Sequence, residues 1–167
     1  MNSTRTIIVI TIATIALMIG GTLVLTKSTE PDKAQEIQFV EGGKAVAPKT
    51  QKDWGDIAFE GGNKEETFVI KNEGTQTLRI RRIRTSCHCT KAQVSIGDVV
   101  SPSFGMNSDD PWVGEVPEGE EAKVKVTFDP AFHGVNGLGP ITRYVTVETS
   151  DPQNKTIEFS VSGFVKK

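Results

Sequence analysis

The chain predicts a two-sheet antiparallel β-sandwich of about seven strands, preceded by one N-terminal transmembrane helix. Three observations carry this. After Trp54, apolar and polar residues alternate in short runs separated by turn residues. After residue 30, no stretch keeps a 3.6-residue period between helix caps. Before it, residues 7–25 read IIVITIATIALMIGGTLVL, without a charge or a proline.

That N-terminal run is long enough for a membrane. At about 1.5 Å per residue, a helix of this length covers roughly the 30 Å hydrocarbon core. A cleaved signal peptide would have a shorter apolar region and a small-residue cleavage site. The segment GGTLVLTKS offers none, so residues 1–27 are expected to form an uncleaved signal anchor. Arg5 lies on one side, with Lys27, Lys33 and Lys44 on the other, and this count does not fix orientation. Residues 28–50 are polar, with Pro31, Gly42, Gly43 and Pro48, and are expected to be a flexible tether.

Residues 51–167 supply the strands. Ile57 and Phe59 alternate with polar neighbours. Residues 67–71 read TFVIK before the turn Asn72-Glu73-Gly74, and residues 78–85 read LRIRRIRT. In residues 121–128, EAKVKVTF, the side chains Ala122, Val124, Val126 and Phe128 share a face, and Asp129-Pro130 stops the ladder. Residues 144–148 read YVTVE, followed by the turn Asp151-Pro152-Gln153-Asn154. The last strand alternates through Ile157, Phe159, Val161 and Gly163. Segments with one apolar face pair into two stacked sheets, and with no helical crossover, parallel pairing is not expected. Residues 97–117 are too long for a tight turn. They are expected to hold an irregular edge strand near Val99 and Val100, and a surface loop pinned by Phe104 and Trp112.

The order of short motifs is specific. Trp54-Gly55-Asp56-Ile57 with Phe59 comes first, then Ile70-Lys71-Asn72-Glu73-Gly74 and Thr85-Ser86-Cys87-His88-Cys89-Thr90. Pro117-Glu118-Gly119-Glu120, Val126-Thr127-Phe128-Asp129-Pro130, Ser150-Asp151-Pro152 and Gly163-Phe164-Val165 follow. In this the chain resembles the bacterial domain-of-unknown-function family numbered 1573, related to the immunoglobulin-like domains of Hydin and major sperm protein. The resemblance covers about residues 50–167. It implies an immunoglobulin-like sandwich, usually exported and often anchored, and it implies no established activity. The extracytoplasmic placement expected here rests on it. Two departures stand out. The family's central Cys-Gly-Cys-Thr is here Cys87-His88-Cys89-Thr90, and the segment after it is longer.

The two cysteines form no disulfide framework, and neither follows the hydrophobic run as a lipid-attached cysteine would. In an extended strand, Cys87 and Cys89 would share a face and His88 would point away. Their Cα atoms would then lie about 6.6 Å apart, at the limit for a bridge. A Cys-x-Cys disulfide needs a sharp bend, which glycine at position 88 would permit more readily than histidine does. Three readings stay open: buried thiols packed as small apolar groups, a disulfide in an oxidising compartment, or ligands for copper or zinc. For a metal, the candidates are Cys87, Cys89 and His88. Completion of such a site would require His88, His133 or Met106 to converge. The plainer reading of His133 is a surface-loop histidine.

Arg79, Arg81, Arg82 and Arg84 make a basic stripe, with a β-bulge expected near Arg81 and Arg82 because Ile83 is out of register with Leu78 and Ile80. It suits lipid headgroups or an anionic cell-wall polymer, or else a charged strand that keeps a sheet edge from aggregating. Asp109, Asp110, Glu115, Glu118, Glu120, Glu121 and Asp129 make an acidic end without calcium-loop spacing. Asn154-Lys155-Thr156 matches a glycosylation sequon. The chain has 19 basic and 21 acidic residues. Arg5 and Lys27 lie in the first 27, which leaves 17 against 21 in the rest. Such an acidic balance argues against nucleic acid as a partner. No phosphate loop, paired catalytic carboxylate or Ser-His-Asp set is present, so no enzymatic activity is expected. The expected function is a membrane-anchored extracytoplasmic binding or scaffolding module for an envelope protein or cell-wall partner. The alternative is a thiol redox or copper-handling protein using the Cys-His-Cys motif.

Overall fold

The computed structural model describes residues 42–167. The anchor expected at 1–27 and the tether at 28–41 lie outside the described residues. Among the described residues no helix is long and apolar enough to cross a membrane.

Ten strands follow in order: β1 (Ala45–Val46), β2 (Gln51–Ala58), β3 (Lys64–Asn72), β4 (Leu78–Thr85), β5 (Thr90–Ile96), β6 (Val99–Val100), β7 (Val113–Val116), β8 (Glu121–Phe128), β9 (Gly139–Thr149) and β10 (Thr156–Lys166). They build two five-stranded sheets, ordered β1-β3-β8-β5-β6 and β2-β10-β9-β4-β7. The domain is thus an all-β sandwich, as the alternation requires. In β8 the residues Ala122, Val124, Val126 and Phe128 are all buried while Lys123 and Lys125 are exposed. Across the dry layer, Phe68 of β3 stacks on Phe159 of β10, with ring centroids 4.7 Å apart. Leu78, Ile80, Ile83, Val145, Val147 and Val161 meet Val94, Val124 and Val126 around that pair.

Three expectations are corrected. The sandwich has ten strands rather than about seven, because β1, β5 and β7 add to those read from the alternation. It is also not wholly antiparallel. The last strand, β10, runs parallel to β2, with Val161 opposite Lys52 and Val165 opposite Ile57. No helical crossover is needed, because the chain between these strands passes through both sheets. A register shift between Ser162 and Phe164 marks the pairing. Gly163 sits there because a Cβ would come within 2.6 Å of Ile57 Cδ1 and 2.8 Å of the Gly55 carbonyl.

The third correction concerns the start of the domain. Residues 42–50 were expected to belong to a tether, yet β1 pairs with β3, and Ala45 is buried. Polar latches hold this edge. The Ala45 N–H donates to the buried Asp151 carboxylate at 2.9 Å. Buried Asn72 donates to the carbonyls of Gln76 (2.8 Å) and Val116 (2.9 Å), and its own side-chain oxygen accepts from Gly74 N–H at 3.0 Å. Gly74 closes against the Gly42 carbonyl, where a Cβ would collide. Neither latch shows as hydrophobic periodicity, so the sequence pattern placed the boundary at 51.

Burial alone would push the Asp151 carboxyl up. Hydrogen bonds from the Asn154 amide and from the N–H groups of Ala45, Gln153 and Asn154 outweigh it and hold the group below the ordinary carboxylate value. A depressed folded value stabilises above the unfolded value of about 3.9, and that contribution is lost as pH falls through the folded value.

Two outcomes are expected. Phe68→Ala should lower stability by about 3–5 kcal/mol in urea unfolding at neutral pH, since it opens a cavity under Phe159. Asp151→Asn should cost about 2 kcal/mol at pH 7, and the gap between the variant and the parent should narrow in unfolding series taken towards pH 3. A gap independent of pH would contradict the charge-assisted latch.

Candidate functional site

An extended strand through both cysteines would hold them at the limit for a bridge. Instead β4 ends at Thr85, residues 86–89 bend, and β5 starts at Thr90. These strands belong to opposite sheets, so Cys87-His88-Cys89 is the turn by which the chain crosses the sandwich. The bend brings the two cysteine Cα atoms to 5.2 Å, and the side chains form a disulfide. That distance lies within the ordinary range for a bridge. Histidine at position 88 therefore does not prevent the turn.

Local hydrogen bonds fix the turn on every side. The Thr85 hydroxyl lies 3.0 Å from both the Cys87 and the Thr90 carbonyls. Thr90 N–H donates back to the Cys87 carbonyl at 3.1 Å. Ser86 and Tyr144 of β9 exchange two bonds: Ser86 N–H to the Tyr144 carbonyl and Tyr144 N–H to the Ser86 hydroxyl oxygen, each 2.9 Å. Asp129 N–H, just after β8, donates to the Cys89 carbonyl at 2.9 Å. The turn is thus clamped between β9 and β8.

The two sulfurs differ. Cys89 is buried against Ile57, Phe128, Ile141 and Val165, a small apolar cluster separate from the main core, while Cys87 lies at its rim, half-exposed. Cys87 Sγ accepts the Cys89 N–H at 3.2 Å, and each sulfur also has one side-chain nitrogen beside it. His133 Nε2 stands 3.3 Å from Cys87 Sγ. Arg143 Nε donates to Cys89 Sγ at 3.2 Å. His133 is placed by the loop after β8, where Asp129 accepts the Ala131 N–H at 2.9 Å and the Phe132 ring meets the imidazole edge-on at 5.0 Å. Arg143 is placed by β9, its guanidinium over the Phe128 ring at 5.8 Å and its Nη1 donating to the Thr142 carbonyl at 2.9 Å.

Of the candidate metal ligands, Cys87 and Cys89 come together and His88, an exposed residue of the turn, does not join them. The histidine that converges is His133, whose Nε2 lies with both sulfurs inside a 4.8 Å span. Its surface-loop setting holds as well, since the residue is exposed. Met106 does not join the group. Arg143 was missed. Its signal was present: it shares the inward register of β9 with Ile141 and Val145, where an arginine is out of place. As a disulfide, the sulfurs are not thiolates, the form in which cysteine binds metal.

The basic stripe also has a structural account. The β-bulge is present, with a register shift between Arg81 and Arg84 and a positive φ of 46° at Arg82. All four arginines are paired: Arg79 with Glu115, Arg81 and Arg82 with Glu148, and Arg84 with Asp109. The strand that carries them, β4, lies between β9 and β7, so edge protection is not their role. Glu148 serves two of them, so three carboxylates face four guanidinium groups.

The segment 97–117 behaves as expected at Val99 and Val100, which form β6, and at Phe104 and Trp112, whose rings meet at 5.7 Å over the buried Phe104. It also supplies β7, so one insertion ends both sheets on the same side. Between the two edges runs a groove lined mainly by Ile96, Val99, Trp112, Val113 and Pro117, with Gly114 and Glu115 also in its wall.

The chain is similar to several solved structures. A protein of unknown function from Porphyromonas gingivalis W83 is 18% identical with a TM-score of 0.55, over 73% of this chain and 46% of that one. This chain therefore spans under half the length of that protein. The ASH / PapD-like domain 7 of human CEP192 is 18% identical with a TM-score of 0.48, over 75% of this chain and 87% of that one. Among curated proteins none matches the chain. Residues 46–102, which carry β2 to β6 and both cysteines, match the family model described as "Protein of unknown function (DUF1573)", and over that stretch the family resemblance read from the sequence is borne out.

Proposed function

We propose that this chain is a binding or scaffolding module, held at the cytoplasmic membrane by its N-terminal apolar run with the sandwich on the extracytoplasmic side. Binding of this kind needs no catalytic group. The Cys87–Cys89 disulfide supports the placement, since such bonds persist in oxidising compartments. The observation that carries the binding reading is the open flank built by residues 97–117. There β6 and β7 are the last strands of their sheets, Val99 and Val100 are 62% and 59% exposed, and an apolar groove separates the two edges. The occupant is an extended segment of an envelope protein. It adds to the free edge of β7 by main-chain hydrogen bonds and sets alternate apolar side chains into the groove. The three carboxylates paired with the arginine stripe offset most of its charge, which argues against an anionic polymer as the main partner.

A second reading, thiol redox or copper handling, is favoured by one specific observation, the convergence of Cys87, Cys89 and His133. In the reduced form these would offer two sulfurs and a nitrogen to Cu(I) or zinc. Arg143 on the Cys89 sulfur opposes a cation there, and so favours the redox arm.

The binding reading predicts site-specific crosslinking. A photo-reactive residue at Val99 or Val113, in the full chain in its own membranes, should give one discrete adduct. The same residue at Glu158, on the exposed face of β10, should give none. Equal labelling at both places, or none at either, would defeat the edge as the docking site.

A further inference from the structure

We propose that the Cys87–Cys89 disulfide is a thiol–disulfide exchange site for a partner protein's cysteine, with Cys87 the attacked sulfur and Cys89 the leaving one. The inference rests on the thiol reading above and is independent of the β7 edge. Asymmetry at the two sulfurs assigns the roles. Cys87 is half-exposed and borders solvent, so an incoming sulfur reaches it; Cys89 is 3% exposed and sealed by Ile57, Phe128 and Ile141. An exchange goes faster when the departing sulfur is stabilised as a thiolate. Arg143 Nε already points at Cys89 Sγ from 3.2 Å, and the Thr90 hydroxyl lies 3.7 Å away. A fixed cation of this kind lowers the cost of a thiolate.

The step balances as follows. The partner thiol gives its proton to His133 Nε2, which stands 3.3 Å from the attacked atom. Its sulfur bonds to Cys87 Sγ, the Cys87–Cys89 bond breaks, and the electron pair leaves on Cys89 as a thiolate held by Arg143. The product is a mixed disulfide joining Cys87 to the partner. A second thiol on the same partner, its proton lost to solvent, then attacks the partner's own sulfur. Cys87 leaves, taking the proton back from His133, and two electrons have passed from the partner dithiol to this domain. The two clamps on the turn keep the sulfurs in place throughout. Phe132 and Tyr144, 52% and 42% exposed, flank the site through His133 and Ser86. They fit a cysteine set among apolar residues in the partner.

The test uses the oxidised full chain in detergent, with a fluorescein-labelled peptide carrying one cysteine between leucines. After acid quenching and alkylation, peptide mapping should place the peptide on Cys87 and the alkyl group on Cys89. Arg143→Met should slow adduct formation about tenfold, Arg143→Lys should restore part of that rate, and His133→Ala should slow it as well. All three variants keep the disulfide, and their melting temperatures are measured to confirm folding. Adducts on Cys89, or a rate untouched by Arg143→Met and His133→Ala, would overturn the assignment. So would stoichiometric retention of Cu(I) by the reduced chain together with exchange no faster than that of a small linear disulfide. A lost crosslink at Val99 would instead count against the edge reading alone.

Discussion

The contact of Phe68 with Phe159 joins the inner face of one sheet to that of the other, and the rest of the domain is arranged around closing that dry layer. Each sheet has one apolar face, and neither face is stable in water. Burial of apolar area is the dominant favourable contribution, so every strand must keep its register with its oily side inward. That requirement decides where the chain can turn. It also decides which polar groups are drawn inside. Asn72 and Asp151 are buried only because turn amides and carbonyls surround them at hydrogen-bonding distance.

The cysteine turn is a consequence of the same closure. To pass from β4 to β5 the chain leaves one sheet and enters the other within four residues. A crossing that short brings residues 87 and 89 close enough to bond. It also lies at the end of the sandwich where the loop after β8 and the start of β9 arrive. His133 and Arg143 reach the sulfurs because of that meeting, although they stand 46 and 54 residues away in the chain. A rigid scaffold that presents reactive groups at a loop end is a common arrangement. Here the unusual part is the difference in environment between two sulfurs in one tripeptide.

Charge is treated differently at the two long surfaces. The four arginines of β4 are paired with three carboxylates, Glu115, Asp109 and a shared Glu148. Such surface pairs contribute little to stability, but they offset all but one of the stripe's positive charges. The flank at β6 and β7 is more apolar, with exposed valines and a groove whose wall carries Glu115 as its one charged residue. An unprotected edge of this sort is a hazard unless something pairs with it, which is why the binding reading is placed there.

The alternation in TFVIK, EAKVKVTF and the last strand determined, from sequence alone, that these segments have one buried face and so belong to stacked sheets. The β-bulge at Arg81 and Arg82 and the pinning of residues 97–117 by Phe104 and Trp112 were equally legible, because each is a local break or anchor in a period-two pattern. Three things were decided only in three dimensions. The parallel pairing of β2 with β10 joins the two ends of the described chain and leaves no local trace. The inclusion of residues 42–50 depends on a hydrogen bond to Asp151, more than a hundred residues away. The site itself needed the turn at 86–89, which was masked because Thr85, Cys87 and Cys89 fit a continuing strand. Alternation reports which side of a strand faces the core; it does not report where a strand stops when the next one keeps the same phase, nor which distant side chain arrives beside it.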